Sequence, residues 1–219
     1  MALARLRFLA CLLAISLLPV PCSAFDTPLS DSAVREAYFL GQRHDDSVAT
    51  FFERYARHLP PPSSGPYIST VSFLTPFALM VEHSSQQSNY SAQQAQLDHR
   101  SEQEAVSIRF EILLTDNYGP FLSAPTGTRS NSPTGIRLRS SDFWRHIKFH
   151  FFDGQEEITT DSIYGEPQYR CTEDGCNLIG ANVEAVFPAE AFTQPEAIIE
   201  ITPPEGDPLT VDFELGSFR

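Results

Sequence analysis

Near residue 105 the hydrophobic period of the chain changes, and this change limits the folds open to it. Before that point, apart from 67–74, apolar residues recur at helical spacing; after it they alternate. Val106, Ile108, Phe110, Ile112 and Leu114 alternate with Ser107, Arg109, Glu111, Leu113 and Thr115, giving a strand with one apolar and one mostly polar face. The same period returns at Ile179, Ala181, Val183, Ala185 and Phe187, which stop at Pro188, and at Leu209, Val211, Phe213 and Leu215. Residues 67–74, 136–139 and 198–202 read as further strands, and 158–164 and 169–171 as weaker ones. Residues 143–152 also read as a strand, with Phe143, Ile147, Phe149 and Phe151 on one side and Trp144, His146, Lys148 and His150 on the other. Short strands separated by Gly/Pro turns point to an antiparallel β-sandwich, immunoglobulin-like or related.

The segment before this switch reads as helical. Ser30 to Ser32 offer N-cap oxygens to a helix that Gly41 ends. Asp45 or Asp46 caps a second, in which Val48, Phe51, Phe52, Tyr55 and Leu59 fall at helical spacing until Pro60-Pro61-Pro62. Thr75-Pro76 opens a third, and Ser91-Ala-Gln-Gln94 fits a capping box for a fourth that runs to about Arg100. The expected class is therefore α+β, mainly β, with N-terminal helices (about 30–100) packed on a sandwich of strands from 67–74 and 104–215. Residues 25–219 are expected to form one domain. A Gly/Pro/Ser/Thr-rich stretch, 116–141, reads as an unusually long loop.

The N-terminus has the parts of an export signal: Arg5 and Arg7, an apolar run from Phe8 to Val20, and Pro21-Cys22-Ser23-Ala24. The run is shorter than the roughly 20 residues a membrane-spanning helix needs. Cleavage after Ala24 leaves Phe25 first, so 1–24 reads as a signal peptide and the chain as exported, to a periplasm or the extracellular space. A lipid anchor at Cys22 is disfavoured, because Val20 and Pro21 precede it where small residues are required. The formal net charge of −13 is uneven. Residues 25–139 contribute −3 and residues 140–219 contribute −12. An acidic half repels phosphate backbones, which argues against a nucleic-acid partner.

Loss of the signal removes Cys11 and Cys22, leaving Cys171 and Cys176 around the turn dipeptide Asp174-Gly175. In an oxidising compartment these two residues read as a disulfide pinning one hairpin. A zinc site would need further ligands nearby, and the sequence offers none. His146 and His150 on one strand would stand about 13 Å apart, too far to share a metal. Glu173-Asp174 and Glu205-Gly206-Asp207 supply only a few of the six to eight oxygens calcium takes, so the expected cofactor is none, with calcium as the outside case. No nucleophile elbow, zinc-protease, P-loop or dinucleotide motif occurs. Paired carboxylates for glycoside hydrolysis stay open, because such pairing is spatial. Trp144, with Arg145 and His146, stands on the polar side of its expected strand; packing under the N-terminal helices or the long loop is the expected reading of it, and a ligand surface formed by the three residues is the alternative.

Val34-Arg-Glu-Ala-Tyr-Phe-Leu-Gly-Gln-Arg43, Thr75-Pro76-Phe77 and Asn89-Tyr-Ser-Ala-Gln-Gln94 resemble segments of an uncharacterised family of exported bacterial proteins. The resemblance covers mainly 31–115. It implies export and a bacterial source and carries over no functional residue. The expected function is a non-catalytic envelope or secreted module that binds a protein or glycan. The alternative is a secreted hydrolase using carboxylates or a His/Asp site such as Asp98-His99.

Overall fold

Local hydrogen bonding decides the helical part. The computed structural model describes residues 24–62, 65–115, 118–123, 136–173 and 175–219. The expected signal, apart from Ala24, and most of the expected 116–141 loop lie outside these residues, as do Cys11, Cys22 and Asp174. Helix α1 (Asp31–Gly41) begins where the Ser30 hydroxyl accepts from the Ala33 amide, and α2 (Asp46–Glu53) where the Asp45 carboxylate accepts from Ser47 N. Thr75 caps α3 (Pro76–Gln86), with proline at its first turn, and Ser91 caps α4 (Ala92–Ser101). Only half of the expected capping box at α4 forms. The Gln94 side chain donates to Asp98 at 2.6 Å instead of returning to the cap.

The second helix is shorter than its spacing predicts. It stops at Glu53, and residues 56–58 become strand β1 (Ala56–His58), which pairs antiparallel with β2 (Tyr67–Leu74). Tyr55 is buried and stacks on Phe218, so it serves the core between the two elements. A sheet edge that can take one more strand outweighs a last helical turn.

The remaining strands are β3 (Ala105–Leu113), β4 (Phe121–Ser123), β5 (Ile136–Leu138), β6 (Lys148–Asp153), β7 (Glu156–Ile158), β8 (Ile163–Thr172), β9 (Gly175–Pro188), β10 (Glu196–Thr202) and β11 (Leu209–Glu214). They form a five-stranded sheet, β1-β2-β3-β9-β8, a four-stranded sheet, β11-β10-β6-β7, and the small pair β4-β5, with every pairing antiparallel. Phenylalanines join the two larger sheets. Phe110 meets Phe149 at 4.4 Å, Phe151 meets Phe187 at 4.9 Å, and Phe73 meets Phe213 at 5.5 Å between ring centroids. The fold is thus α+β, mainly β, with two antiparallel sheets in a sandwich-like arrangement and α1 packed against α3 and α4 beside them.

The expected strand 143–152 is split. Phe143–His146 is a 3-10 turn, and the strand begins only at Lys148. The turn drives both Phe143 and Trp144 inward. Trp144 is 6% exposed and lies under β8, where a Cβ on Gly165 would come within 2.4 Å of its ring. Among the described residues, no helix is long and apolar enough to cross a membrane.

Candidate functional site

Trp144 packs inside, as the expected reading has it, but the element over it is β8, so the alternative ligand surface does not form around it. Of the three residues only Arg145 and His146 are exposed. Arg145 lies over the indole at 4.9 Å, and Asp142 is 4.0 Å from its guanidinium. A glycine at 165 leaves the inward face of β8 open, and the tryptophan fills it. Cys171 and Cys176 are register partners in the β8–β9 hairpin, and their sulfurs are at disulfide distance. The two sulfurs close one tight hairpin between register partners, which fits a clip.

Asp98 and His99 line a pocket of about 290 Å³ on the helical side, with His83, Glu102 and Glu104. The two do not act together. Asp98 accepts from the Tyr90 hydroxyl at 2.9 Å and from Gln94. Partial burial, then the Asp98 carboxylate, pushes the Tyr90 hydroxyl well above its usual range. His99 Nε2 stands 3.2 Å from Glu104 Oε1. That carboxylate also accepts from the Thr27 hydroxyl and the Leu29 amide, each at 2.5 Å. A carboxylate that takes both the Thr27 hydroxyl and the Leu29 amide is an anchor for the 27–29 segment, and no serine, threonine or cysteine hydroxyl or thiol lines the pocket for His99 to activate. Among the described residues no three His, Cys, Asp or Glu side chains converge as ligands for a metal. Of the acids considered for calcium, Asp174 lies outside the described residues, and Glu205 and Asp207 are exposed.

The larger candidate is the outer face of the five-stranded sheet. Four strands place their outward side chains in two adjacent rows. Register aligns Ser72, Arg109, Glu184 and Tyr164 in the first row and Thr70, Glu111, Asn182 and Glu166 in the second. These rows floor a groove of about 490 Å³, within the range of small-ligand sites. The first row is braced from outside the sheet. Glu82 on α3 receives both terminal nitrogens of Arg109, at 2.5 and 2.8 Å, and Glu184 receives its Nε at 3.0 Å. The Ser107 hydroxyl also donates to Glu184. Burial works against the charge on Arg109, yet Glu82 and then Glu184 raise its basicity further. Burial would push the Glu184 carboxyl up, but bonds from Ser107 and Arg109 outweigh it and hold the group below its usual range. Tyr164 is 51% exposed. Burial of its hydroxyl, then the Glu184 charge, push it up. The first row is therefore ionised and rigid, and it presents one aromatic ring.

The second row is more open. Glu111 accepts from the Ser69 and Thr70 hydroxyls, and Asn182 accepts from the Gln168 amide at 2.5 Å. Glu111, Asn182 and Glu166 are exposed, and among the described residues neither Glu111 nor Glu166 has a cationic partner. The alternation of β3 and β9 marks Arg109, Glu111, Asn182 and Glu184 as outward. It does not reveal that Glu166 and Tyr164 join them, because the weak period of β8 hides its facing. No protein-family model matches the chain, and no curated protein matches it.

Proposed function

We propose that this chain is an exported, non-catalytic interaction module that binds a glycan on the outer face of its five-stranded sheet. The observation that carries this reading is the groove floor. An exposed tyrosine ring borders two rows of hydroxyl, amide and carboxylate groups, and the guanidinium within them is already neutralised by Glu82 and Glu184. Sugars present hydroxyls in two directions and an apolar ring face. A rigid floor of acceptors and donors beside an aromatic ring meets both. Export fits the cysteine pair at disulfide distance, a bond that persists outside the reducing cytosol. The test is retention on a glycan array of wild-type protein against Y164A and N182A. Retention by wild type that either change weakens at least about tenfold supports the reading, being the loss of one central contact. Retention unaffected by both changes, or no retention of any glycan, refutes it.

A second reading rests on Glu111 and Glu166, which flank Asn182 on neighbouring strands. Two strand spacings put their backbones roughly 10 Å apart, near the range of about 6.5–9.5 Å between the carboxyls of inverting glycosidases. Both side chains are exposed, whereas a general acid is held protonated by burial, so binding is preferred. Release of reducing sugar that E166Q abolishes would reverse that preference.

A further inference from the structure

We infer that the glycan taken by this groove carries amino groups: its ligand is a chain of aminosugars whose ammonium groups sit between Glu111 and Glu166 and whose ring face covers Tyr164. The inference rests on the reading of the sheet face as a glycan site and specifies the ligand.

The charge of the groove is the first argument. The groove is lined by one guanidinium, Arg109, and by the three carboxylates of Glu184, Glu111 and Glu166, while Glu82 reaches Arg109 from α3. Glu82 and Glu184 are spent on Arg109, whereas Glu111 accepts from the Ser69 and Thr70 hydroxyls, and among the described residues neither Glu111 nor Glu166 has a cationic partner. An anionic glycan is therefore repelled, and a cationic one is drawn in through a groove that focuses the field. The geometry of the second row is the next argument. Glu111, Asn182 and Glu166 follow one another at the strand spacing of about 4.8 Å, a step comparable to the length of one sugar unit. A chain laid across the strands thus meets a hydrogen-bonding group at each unit. Tyr164 stands on the same strand and face as Glu166, two residues before it, and its ring attracts an ammonium as well as an apolar sugar face.

The same floor disfavours a basic peptide. Peptides that lie along a sheet take their affinity from main-chain pairing at an edge or from apolar pockets for alternate side chains. The edge strand here, β8, carries Pro167 near its middle, which removes a donor. The outward side chains of the floor are hydroxyls, an amide, a guanidinium and carboxylates, which give alternate apolar side chains of a peptide little to enter.

The probes are a glucosamine tetramer, its fully N-acetylated form and tetralysine, titrated calorimetrically into the purified protein. The glucosamine tetramer is expected to bind most tightly, to weaken as salt is raised, and to lose about threefold in affinity with E111Q and again with E166Q. Both changes lie on exposed side chains, and unaltered Trp144 fluorescence confirms that the variants are folded. Equal binding of the N-acetylated tetramer overturns the amino assignment and leaves glycan binding standing. Tighter binding of tetralysine overturns the glycan assignment itself. Absence of binding by all three probes overturns the inference, and glycan retention on the array then decides whether the underlying reading survives.

Discussion

Replacing Gly165 by alanine should destabilise the protein through a single contact. The new Cβ would lie 2.4 Å from Trp144 Cε2, 2.7 Å from Nε1 and 2.8 Å from Cδ2. Ordinary carbon–carbon contact is about 3.5–4.0 Å, so the indole, a rigid plane with no flexible end, must withdraw by roughly 1 Å. It has little room, since it is 6% exposed with Phe143 buried beside it. Overpacking of this kind costs about 1–3 kcal/mol. The lower backbone entropy of alanine in the unfolded chain returns about 0.5–1 kcal/mol. The net loss is about 0–2.5 kcal/mol with a midpoint near 1 kcal/mol, which for a chain of this size lowers Tm by roughly 2–4 °C. The assay is specific because the chain holds one tryptophan. Its emission should shift to the red as the ring is displaced, together with the fall in Tm. In a W144L background the smaller side chain clears the site, and G165A should then cost less than about 0.5 kcal/mol, a coupling expected only of residues in contact. An unchanged emission maximum and Tm for G165A, or an equal penalty in both backgrounds, would refute the packing of Trp144 under β8.

Three further outcomes follow from the structure. The folded protein beginning at Phe25 should contain no titratable thiol, and reduction should lower its stability by about 2 kcal/mol, the chain-entropy value for a loop of about six residues; two reactive thiols in native protein would contradict this. Glu184 has its folded carboxyl held below the ordinary value of 4.5. Its contribution to stability is present above that value and is lost as pH falls through the lower folded value. E184Q should therefore be less stable than wild type at pH 7 and indistinguishable from it in strong acid, by urea unfolding at each pH. Asp153 is 7% exposed and accepts from Thr193 N, the Thr193 hydroxyl and Gln194 N at 2.8–2.9 Å. D153A strands these donors and should cost about 2–4 kcal/mol in chemical denaturation.

Elements decided by adjacent residues were legible in the sequence. Ser30, Asp45, Thr75 and Ser91 each cap the helix they were expected to cap, because capping needs only a side-chain oxygen and an amide two or three residues on. Strands β2, β3, β9, β10 and β11 were legible because each has one face in the sandwich and one outside. What was hidden depended on partners distant in sequence. Strand β1 looked like a last turn of helix, since Tyr55 and Leu59 keep the helical spacing, and only pairing with β2 turns it into strand. Trp144 read as outward because a continuous strand was assumed from 143. The four-residue 3-10 turn rotates it inward, and nothing before Lys148 announces that turn. The candidate groove was half visible. Arg109, Glu111, Asn182 and Glu184 fall on the polar positions of strong strands. Their assembly with Thr70, Tyr164 and Glu166 is a matter of register between strands up to about a hundred residues apart, which periodicity does not encode.

The order β1-β2-β3-β9-β8 has a bearing on how the chain is made. Strand β3 finds β2 early, through the α3–α4 connection. Its other edge stays open until β9 has been synthesised, by which time β6 and β7, which belong to the opposite sheet, have already passed. Throughout that interval Val106, Ile108, Phe110 and Ile112 stand on a strand with a free row of amides and carbonyls. Such an edge templates pairing with other copies of the same chain. The nascent protein is thus most prone to aggregate after β3 and before β9. A holdase that retains it unfolded until residue 188 has emerged would remove that hazard, and transport in the unfolded state would do the same.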